Sequence, residues 1–327
     1  MNFILTTSCN KGCPYCFAHQ NRKDDPNNFM SLKSFEEMVD KTNSQIKLLG
    51  GEPTQHPQFK EIIEILIRKK RRVTLISNFL FDDETLNIIL EALEHIEIHF
   101  LVNATDLDKK NRMEKWSKNY NTIFKFLYAK DKEEYMSIGI TLYDQSLKYY
   151  LNYIDFLKKN ILKIERFRLS IAFPGSKEEK NNFYIINNKE LGKTIVSLVY
   201  KIVDMGIKPS IDCILFPCMF NNKEEYKYIR KFSQEFRFKC NAAPCDLFPD
   251  KTISYCYPLK EKIKINFDNY LKSKPIQEDL RLRYKILEEQ IEKPVACKSC
   301  EYFKKNLCDG PCLGFYDLES LETGVKL

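Results

Sequence analysis

The chain opens with Phe3-Ile4-Leu5-Thr6-Thr7-Ser8-Cys9-Asn10-Lys11-Gly12-Cys13-Pro14-Tyr15-Cys16. A short apolar run leads directly into a loop of three thiols, spaced by three and then two residues. Working outward, residues 45–49, 73–77, 96–102, 136–142, 166–172 and 208–215 repeat the strand-like pattern of 3–7, rich in Ile, Leu, Val and Phe. Between them the apolar spacing predicts helices over 32–42, 58–70, 83–93, 109–128, 147–159 and 189–205, with Ser31 as the N-cap of the first. Strands alternating with helices specify βαβ units and a parallel sheet. Six repeats within about 210 residues suggest an α/β fold with a curved sheet or partial barrel, because a closed eight-fold barrel needs typically about 250 residues to itself.

In such sheets, function gathers in the loops that follow the strands' C-terminal ends. The loops after the first two strands carry the thiol stretch and Gly50-Gly51-Glu52-Pro53. The two motifs are therefore expected to share one site.

The chain has 327 residues and 12 cysteines, too long for a small disulfide-stapled domain. No signal-peptide pattern opens it, and no apolar stretch approaches the length of a membrane span. A cytoplasmic protein is expected, with no membrane partner, in which clustered thiols bind metal or do chemistry. The net charge of +7 is mild and diffuse, so no nucleic-acid partner is implied. The run Arg68-Lys69-Lys70-Arg71-Arg72 reads as a solvated helix end. The four histidines (His19, His56, His95 and His99) show no ligand spacing.

The cysteines fall into groups: Cys9, Cys13 and Cys16; the loose pair Cys213 and Cys218; and seven between Cys240 and Cys312. Three thiols on one short loop can each bind a different iron of a cube-shaped cluster. Clusters normally take four cysteines, so a fourth iron would stay open to a substrate. Taken alone, the three also suit a zinc site or buried thiols. In Gly50-Gly51-Glu52-Pro53, two glycines admit a ligand close to the backbone, and Glu52 adds a carboxylate suited to an ammonium. The bare motif is also a common turn.

Together the motifs resemble the radical S-adenosylmethionine (SAM) superfamily. The cysteine spacing is that family's, Tyr15 supplies its usual aromatic residue, and Gly50-Gly51-Glu52-Pro53 follows the second strand as it does there. The resemblance covers roughly residues 3–172. It implies a partial (β/α)6 TIM-like barrel and a [4Fe-4S] cluster on Cys9, Cys13 and Cys16. The open iron of that cluster binds the amino and carboxylate groups of SAM. The reduced cluster then cleaves SAM to methionine and a 5′-deoxyadenosyl radical. A flavodoxin- or ferredoxin-type electron donor is implied as well. Further SAM contacts carried over by position are Pro53, Ser77-Asn78 (where the family often has Ser/Thr-Asn-Gly and this chain has Phe79), Asn103, Thr141, Arg168 and Ser170. Each also reads as a polar strand end.

Cys297-x2-Cys300-x7-Cys308-x3-Cys312 has metal-ligand spacing and alone could hold zinc. Behind a radical SAM core it resembles the SPASM/twitch extension, a small cysteine-rich C-terminal region holding one or two auxiliary [4Fe-4S] clusters. Its middle gap is two residues longer than that family's. The expected division is 1–215 barrel, 216–239 linker, and 240–327 iron–sulfur domain. Within the last, 246–257 reads as a hairpin turning at Pro249-Asp250-Lys251, and 277–292 as a helix. By resemblance Cys240, Cys245, Cys256 and Cys312 hold the first auxiliary cluster, and Cys297, Cys300 and Cys308 three corners of the second. The family's seventh cysteine has no counterpart after Cys312. An open iron, another ligand, a donor from Cys213 or Cys218, or zinc are the alternatives.

SPASM-type enzymes mostly modify peptides or proteins. The implied function is therefore hydrogen abstraction from a peptide substrate, with or without a leader peptide, to install a crosslink, thioether or epimerised residue. With the chain starting at its first strand, a leader is expected to bind the core, the 219–238 segment or a separate protein. Tyr257, directly after the hairpin cysteine, stands where sulfatase maturases carry an acidic base. It is the candidate catalytic residue, as a proton or hydrogen-atom donor, and also reads as a packing aromatic. The alternatives are modification of a small molecule or protein side chain, sulfatase-maturase-like, and, from another class, a non-catalytic metal-binding module.

Overall fold

The structure is a computed structural model. It describes residues 1–16, 18, 28–42, 45–108, 112–143, 146–172, 188–212, 215–232, 240, 245–270 and 276–315. His19 and Cys213 lie outside these residues, as does the 233–238 end of the linker.

Seven parallel strands follow one another across the sheet in chain order: β1 (Asn2–Ile4), β2 (Ile46–Leu49), β3 (Val73–Ser77), β4 (Ile98–Asn103), β5 (Met136–Leu142), β6 (Arg166–Ile171) and β7 (Lys208–Ile211). Between them run α1 (Leu32–Lys41), α2 (Phe59–Arg68), α3 (Asp83–His95), α4 (Met113–Tyr128), α5 (Leu147–Asn160) and α6 (Lys189–Asp204). The sheet does not close: β7 sits at one edge. This is the partial barrel expected from the alternation.

Local chemistry fixes the helix starts. The side chains of Ser31, Asp82, Ser146 and Asn188 each accept a hydrogen bond from an amide in the first turn of the helix that follows. Each satisfies one of the donors a helix start leaves unpaired.

Along the strands, burial alternates with period two. Phe3, Leu48, Leu75, Phe100, Val102, Ile138, Ile140, Phe167 and Leu169 are buried and join the helices' apolar faces in one core. The alternate residues, among them Leu101, Asn103, Thr141, Arg168 and Ser170, form the half-buried face.

The 246–257 hairpin forms, as β8 (Asp246–Leu247) and β9 (Thr252–Ser254), with Lys251 in the left-handed region at φ 61°. β10 (Lys264–Asn266) pairs with β9. These strands extend the barrel sheet itself: β8 pairs in parallel with β1, Asn2 opposite Asp246 and Phe3 opposite Leu247. Asn2 Nδ2 donates to Asp246 Oδ1 at 2.6 Å across that seam. Burial pushes the Asp246 pKa up to about 6.

After β7, a one-turn helix Pro217–Met219 leads to α7 (Lys223–Arg230), within the stretch expected as linker. The later helix is α8 (Ile276–Gln290). Two single-turn helices follow, Val295–Lys298, which carries Cys297, and Glu301–Lys304, which starts directly after Cys300. Among the described residues no helix is long and apolar enough to cross a membrane.

Candidate functional site

The 9–16 loop leaves β1 at the same sheet end as the Gly50-Gly51 turn leaves β2. Gly51 N donates to Thr6 O and Glu52 N to Ser8 O, both at 2.8 Å. A Cβ on Gly50 would lie 2.3 Å from Thr6 O, and one on Gly51 2.2 Å from Ser8 O. Glycine is required here because the backbone entering the thiol loop presses against the turn. The amides of Gly51 and Glu52 are thus already used, and the carbonyls of Glu52 and Pro53 accept from Gln55 N and His56 N; the carbonyls of Gly50 and Gly51 are the turn groups that suit an incoming ammonium.

Glu52 faces inward. Its Oε1 accepts from Thr54 Oγ1 and Ser77 Oγ, both at 2.8 Å, and its Oε2 from Asn78 N at 2.7 Å. Thr54 N adds a longer bond of 3.3 Å. The carboxylate is 1% exposed, and burial raises its pKa above the ordinary range. It ties β2 to the end of β3 from within, although the sequence suggested it as an ammonium ligand.

Asn78 carries that tie to the thiol loop: Nδ2 donates to Asn10 Oδ1 at 2.7 Å and lies 4.0 Å from Cys9 Sγ. Lys11 N donates to Cys9 Sγ at 3.4 Å. Phe79, in the place of the family's glycine, adopts the left-handed φ of 58°. Asn119 Nδ2 holds it there, donating to Phe79 O and Phe81 O at 2.9 Å each.

Behind the loop lies a polar network with no local signal in the sequence. Lys11 is 1% exposed, and its Nζ donates to Thr105 O at 2.5 Å. Burial lowers its pKa, against the opposing pull of Cys13 and Asp106. Asp106, buried and at φ 56°, accepts from Tyr143 Oη at 2.6 Å and Tyr149 Oη at 3.2 Å. A lysine between two cysteines reads as solvated, and the tyrosines are a pairing of distant segments, so neither left a local signal. Tyr15 packs on Tyr143 with ring centroids 4.7 Å apart, beside Cys13. Among the described residues no hydrogen-bond partner reaches its buried hydroxyl.

On the half-buried face, register sets Asn103 beside Gly139, Gly139 beside Arg168, and Thr141 beside Ser170. The four candidate contacts of β4–β6 therefore share one surface. Arg168 and Ser170 both engage Asp212 Oδ2, at 3.2 and 3.3 Å. Asn103 Oδ1 accepts from Thr105 N at 3.0 Å.

The C-terminal thiols form two sets. Tyr255, whose hydroxyl lies 3.5 Å from Cys240 Sγ, stacks on Tyr284. Burial raises the pKa of both phenols, and the nearby Cys240 adds to the effect on each. Cys245 is buried at φ 56°, its thiol pushed up to about 12. Cys297, Cys300 and Cys308 line a second, small cavity, and Cys218 lies in the same wall. Tyr257 packs its ring on Phe248 at 5.2 Å.

A family model for the radical SAM superfamily matches residues 3–157. This stretch of the chain is a radical SAM domain. The thiol loop, with its N–H···S bonds and the orphaned Tyr15 hydroxyl beside it, fits the three-cysteine cluster that a radical SAM protein carries there. A curated relative, an S-adenosylmethionine-dependent nucleotide dehydratase from Selenomonas ruminantium, is 29% identical over 83 residues, 24% of this chain and 29% of its own length. Streptococcus suis SuiB bound to S-adenosylmethionine superposes with TM-score 0.65 at 17% identity, over 96% of this chain and 72% of that one. SuiB bound to its precursor peptide SuiA gives 0.66 at 16% identity, over 96% and 71%. The structure described as native anSMEcpe with bound AdoMet and Cp18Cys peptide gives 0.60 at 16% identity, over 96% and 88%. These likenesses establish a shared fold.

Proposed function

We propose that this radical SAM chain reductively cleaves SAM and modifies a peptide. When bound, the cluster and SAM supply a 5′-deoxyadenosyl radical that takes a hydrogen atom from the substrate. The observation that carries the reading is the joint between the thiol loop and the Gly50-Gly51 turn, where two backbone bonds and two glycines set the SAM-binding elements side by side. Cys9, Cys13 and Cys16 hold the cluster. The carbonyls of the turn take the ammonium of SAM, and Pro53, Ser77 and Asn78 keep the turn in register. Asn103, Thr141, Arg168 and Ser170 line the surface on which SAM and substrate meet, with Tyr15 closing the loop side.

The peptide substrate is supported by the two peptide-bound structures that share the fold. In this reading residues 1–215 form the barrel, 216–239 the bridge and 240–327 a SPASM-like unit. In that unit Cys240, Cys245, Cys256 and Cys312 hold one auxiliary cluster, and Cys297, Cys300 and Cys308 part of another. Tyr257 serves as a proton or hydrogen-atom donor, and a flavodoxin or ferredoxin delivers the electron. A cytoplasmic setting follows from that oxygen-sensitive chemistry.

The second reading, action on a small molecule, draws on the nucleotide dehydratase relative, whose similarity is confined to 83 residues. Anaerobic reconstitution with iron, sulfide, dithionite and SAM tests the main step. It should yield 5′-deoxyadenosine with the intact chain and none with Cys13→Ala. No product from the intact chain, or full activity in the variant, refutes it. Deuterium transfer to 5′-deoxyadenosine from a labelled peptide, against a labelled nucleotide, separates the two substrates.

A further inference from the structure

Seven of the C-terminal cysteines leave the second thiol set one donor short, and the structure supplies a candidate from a different part of the chain. Cys218 sits on the one-turn helix Pro217–Met219, which follows β7, about 80 residues before Cys297 in the sequence. In space it lines the same cavity as Cys297, Cys300 and Cys308, together with Phe216 and Gly310. From this geometry we propose that Cys218 is the fourth thiolate of the iron–sulfur site formed by Cys297, Cys300 and Cys308. The proposal rests on the reading of the C-terminal cysteines as cluster ligands.

Three further observations support it. First, the donor chemistry is uniform: the cavity wall holds four thiols and no carboxylate or imidazole. Soft thiolates select iron–sulfur clusters or zinc. Second, the four thiols come from two remote parts of the chain and line one cavity. A cluster takes its ligands one per iron and so accepts thiols from separate segments, where a single tetrahedral zinc needs all four on one ion.

Third, the position of Cys218 is built in. A Cβ on Gly192 of α6 would lie 2.0 Å from Met219 O, so only glycine lets the barrel helix press this closely on the Cys218 turn. Lys189 Nζ also donates to Phe220 O at 2.6 Å, pinning the turn's other side. On the opposite wall the Gly310 amide donates to Cys308 Sγ at 3.4 Å.

The cavity is narrow, ≈ 20 Å³, so loading moves its walls outward. Each thiol binds as a thiolate and releases its proton to solvent. The consequence is a covalent staple: the last helix turn of the barrel and the C-terminal loop would share one inorganic group.

The test uses the full chain with Cys9, Cys13 and Cys16 replaced by Ala, so that only auxiliary iron is counted. After anaerobic reconstitution with ferrous iron and sulfide, iron, acid-labile sulfide and the Mössbauer spectrum are measured. Adding Cys297→Ala or Cys312→Ala should each remove about four iron and four sulfide per chain. Adding Cys218→Ala should remove between one and about four iron, or leave a three-cysteine cluster that gives a new three-iron EPR signal on mild oxidation. Circular dichroism of the metal-free variants controls for folding, and Cys218→Ser provides a near-isosteric second variant. Unchanged iron and spectra in both Cys218 variants, alongside losses in Cys297→Ala and Cys312→Ala, overturn the assignment of Cys218 alone. Unchanged iron in all variants overturns the auxiliary-cluster reading itself. One zinc and no sulfide at the Cys297 site overturns the iron–sulfur assignment.

Discussion

Replacing Glu52 by Gln separates two roles that the sequence motif alone conflates. The carboxylate of Glu52 accepts every one of its four hydrogen bonds: from Thr54 Oγ1, Thr54 N and Ser77 Oγ on one oxygen, and from Asn78 N on the other. A carboxamide has the same shape and only one accepting oxygen. With that oxygen kept toward Ser77, its NH2 meets the Asn78 N–H and two donors face each other. The lost bond to a charged acceptor is worth about 1.5–3 kcal/mol, and the remaining three weaken as the charge disappears. Removing a buried charge offsets part of this. The net expectation is a chain less stable by about 2 kcal/mol at pH 7–8.

The sign of the pH dependence follows from burial. Because the folded-state pKa of Glu52 is raised, the folded wild type binds this proton more tightly than the unfolded chain. Its stability relative to Gln is therefore greatest below about pH 4, falls as pH rises through the raised pKa, and is flat above it. Urea denaturation of the metal-free chain, followed by the fluorescence of the buried, lone Trp116, measures this directly. A Glu52→Gln chain within about 0.5 kcal/mol of wild type, yet with weakened SAM binding, would refute the strut and return the carboxylate to the ligand.

Gly51→Ala places a methyl 2.2 Å from Ser8 O, and the backbone contact on the other side cannot yield. A loss of about 3 kcal/mol, with iron leaking from the 9–16 loop, should appear in denaturation and iron assays. Phe79→Gly relieves a left-handed backbone worth about 1 kcal/mol but empties a site 0% exposed. The net change should be a loss of about 2–4 kcal/mol in the same urea titration, and a stabilised variant would show that the φ strain dominates. Gly192→Ala drives a methyl to within 2.0 Å of Met219 O. It should lower the unfolding midpoint by the equivalent of about 1–3 kcal/mol, with hydrogen exchange rising first in the 217–219 turn.

Most of the barrel was legible because burial here has a clean period. The β3 and β5 runs were delimited to the residue, and most other strand and helix ends fell within about two residues of the observed ones, the usual fraying of boundaries. What the sequence could not carry were pairings between remote segments. That β8 would dock on β1 needed the third dimension, since Asp246 and Asn2 read as ordinary polar residues. The glycines of the 50–51 turn read as a place where a ligand comes close to the backbone. The approaching body is the chain's own Thr6–Ser8 backbone, a contact that spacing cannot distinguish from a ligand. Lys11 and Asp106 were missed because buried charge is rare enough that a local reading always assigns such residues to solvent. Cys218 was left open because nothing local distinguishes a ligand thiol from a packed one.

The β1–β8 seam has a consequence for how the protein comes off the ribosome. The strand that feeds the thiol loop has β2 on one side from early on, while its other edge is completed only by residues 246–247. At about 5–20 residues per second, that edge of the nascent chain stays open for roughly 10–50 seconds. An unpaired strand edge is a template for pairing with another chain. Assembly of the thiol loop is thereby coupled to synthesis reaching residues 246–247, and a truncated polypeptide ending near residue 240 should emerge with an unprotected edge at β1 and a strong tendency to self-associate.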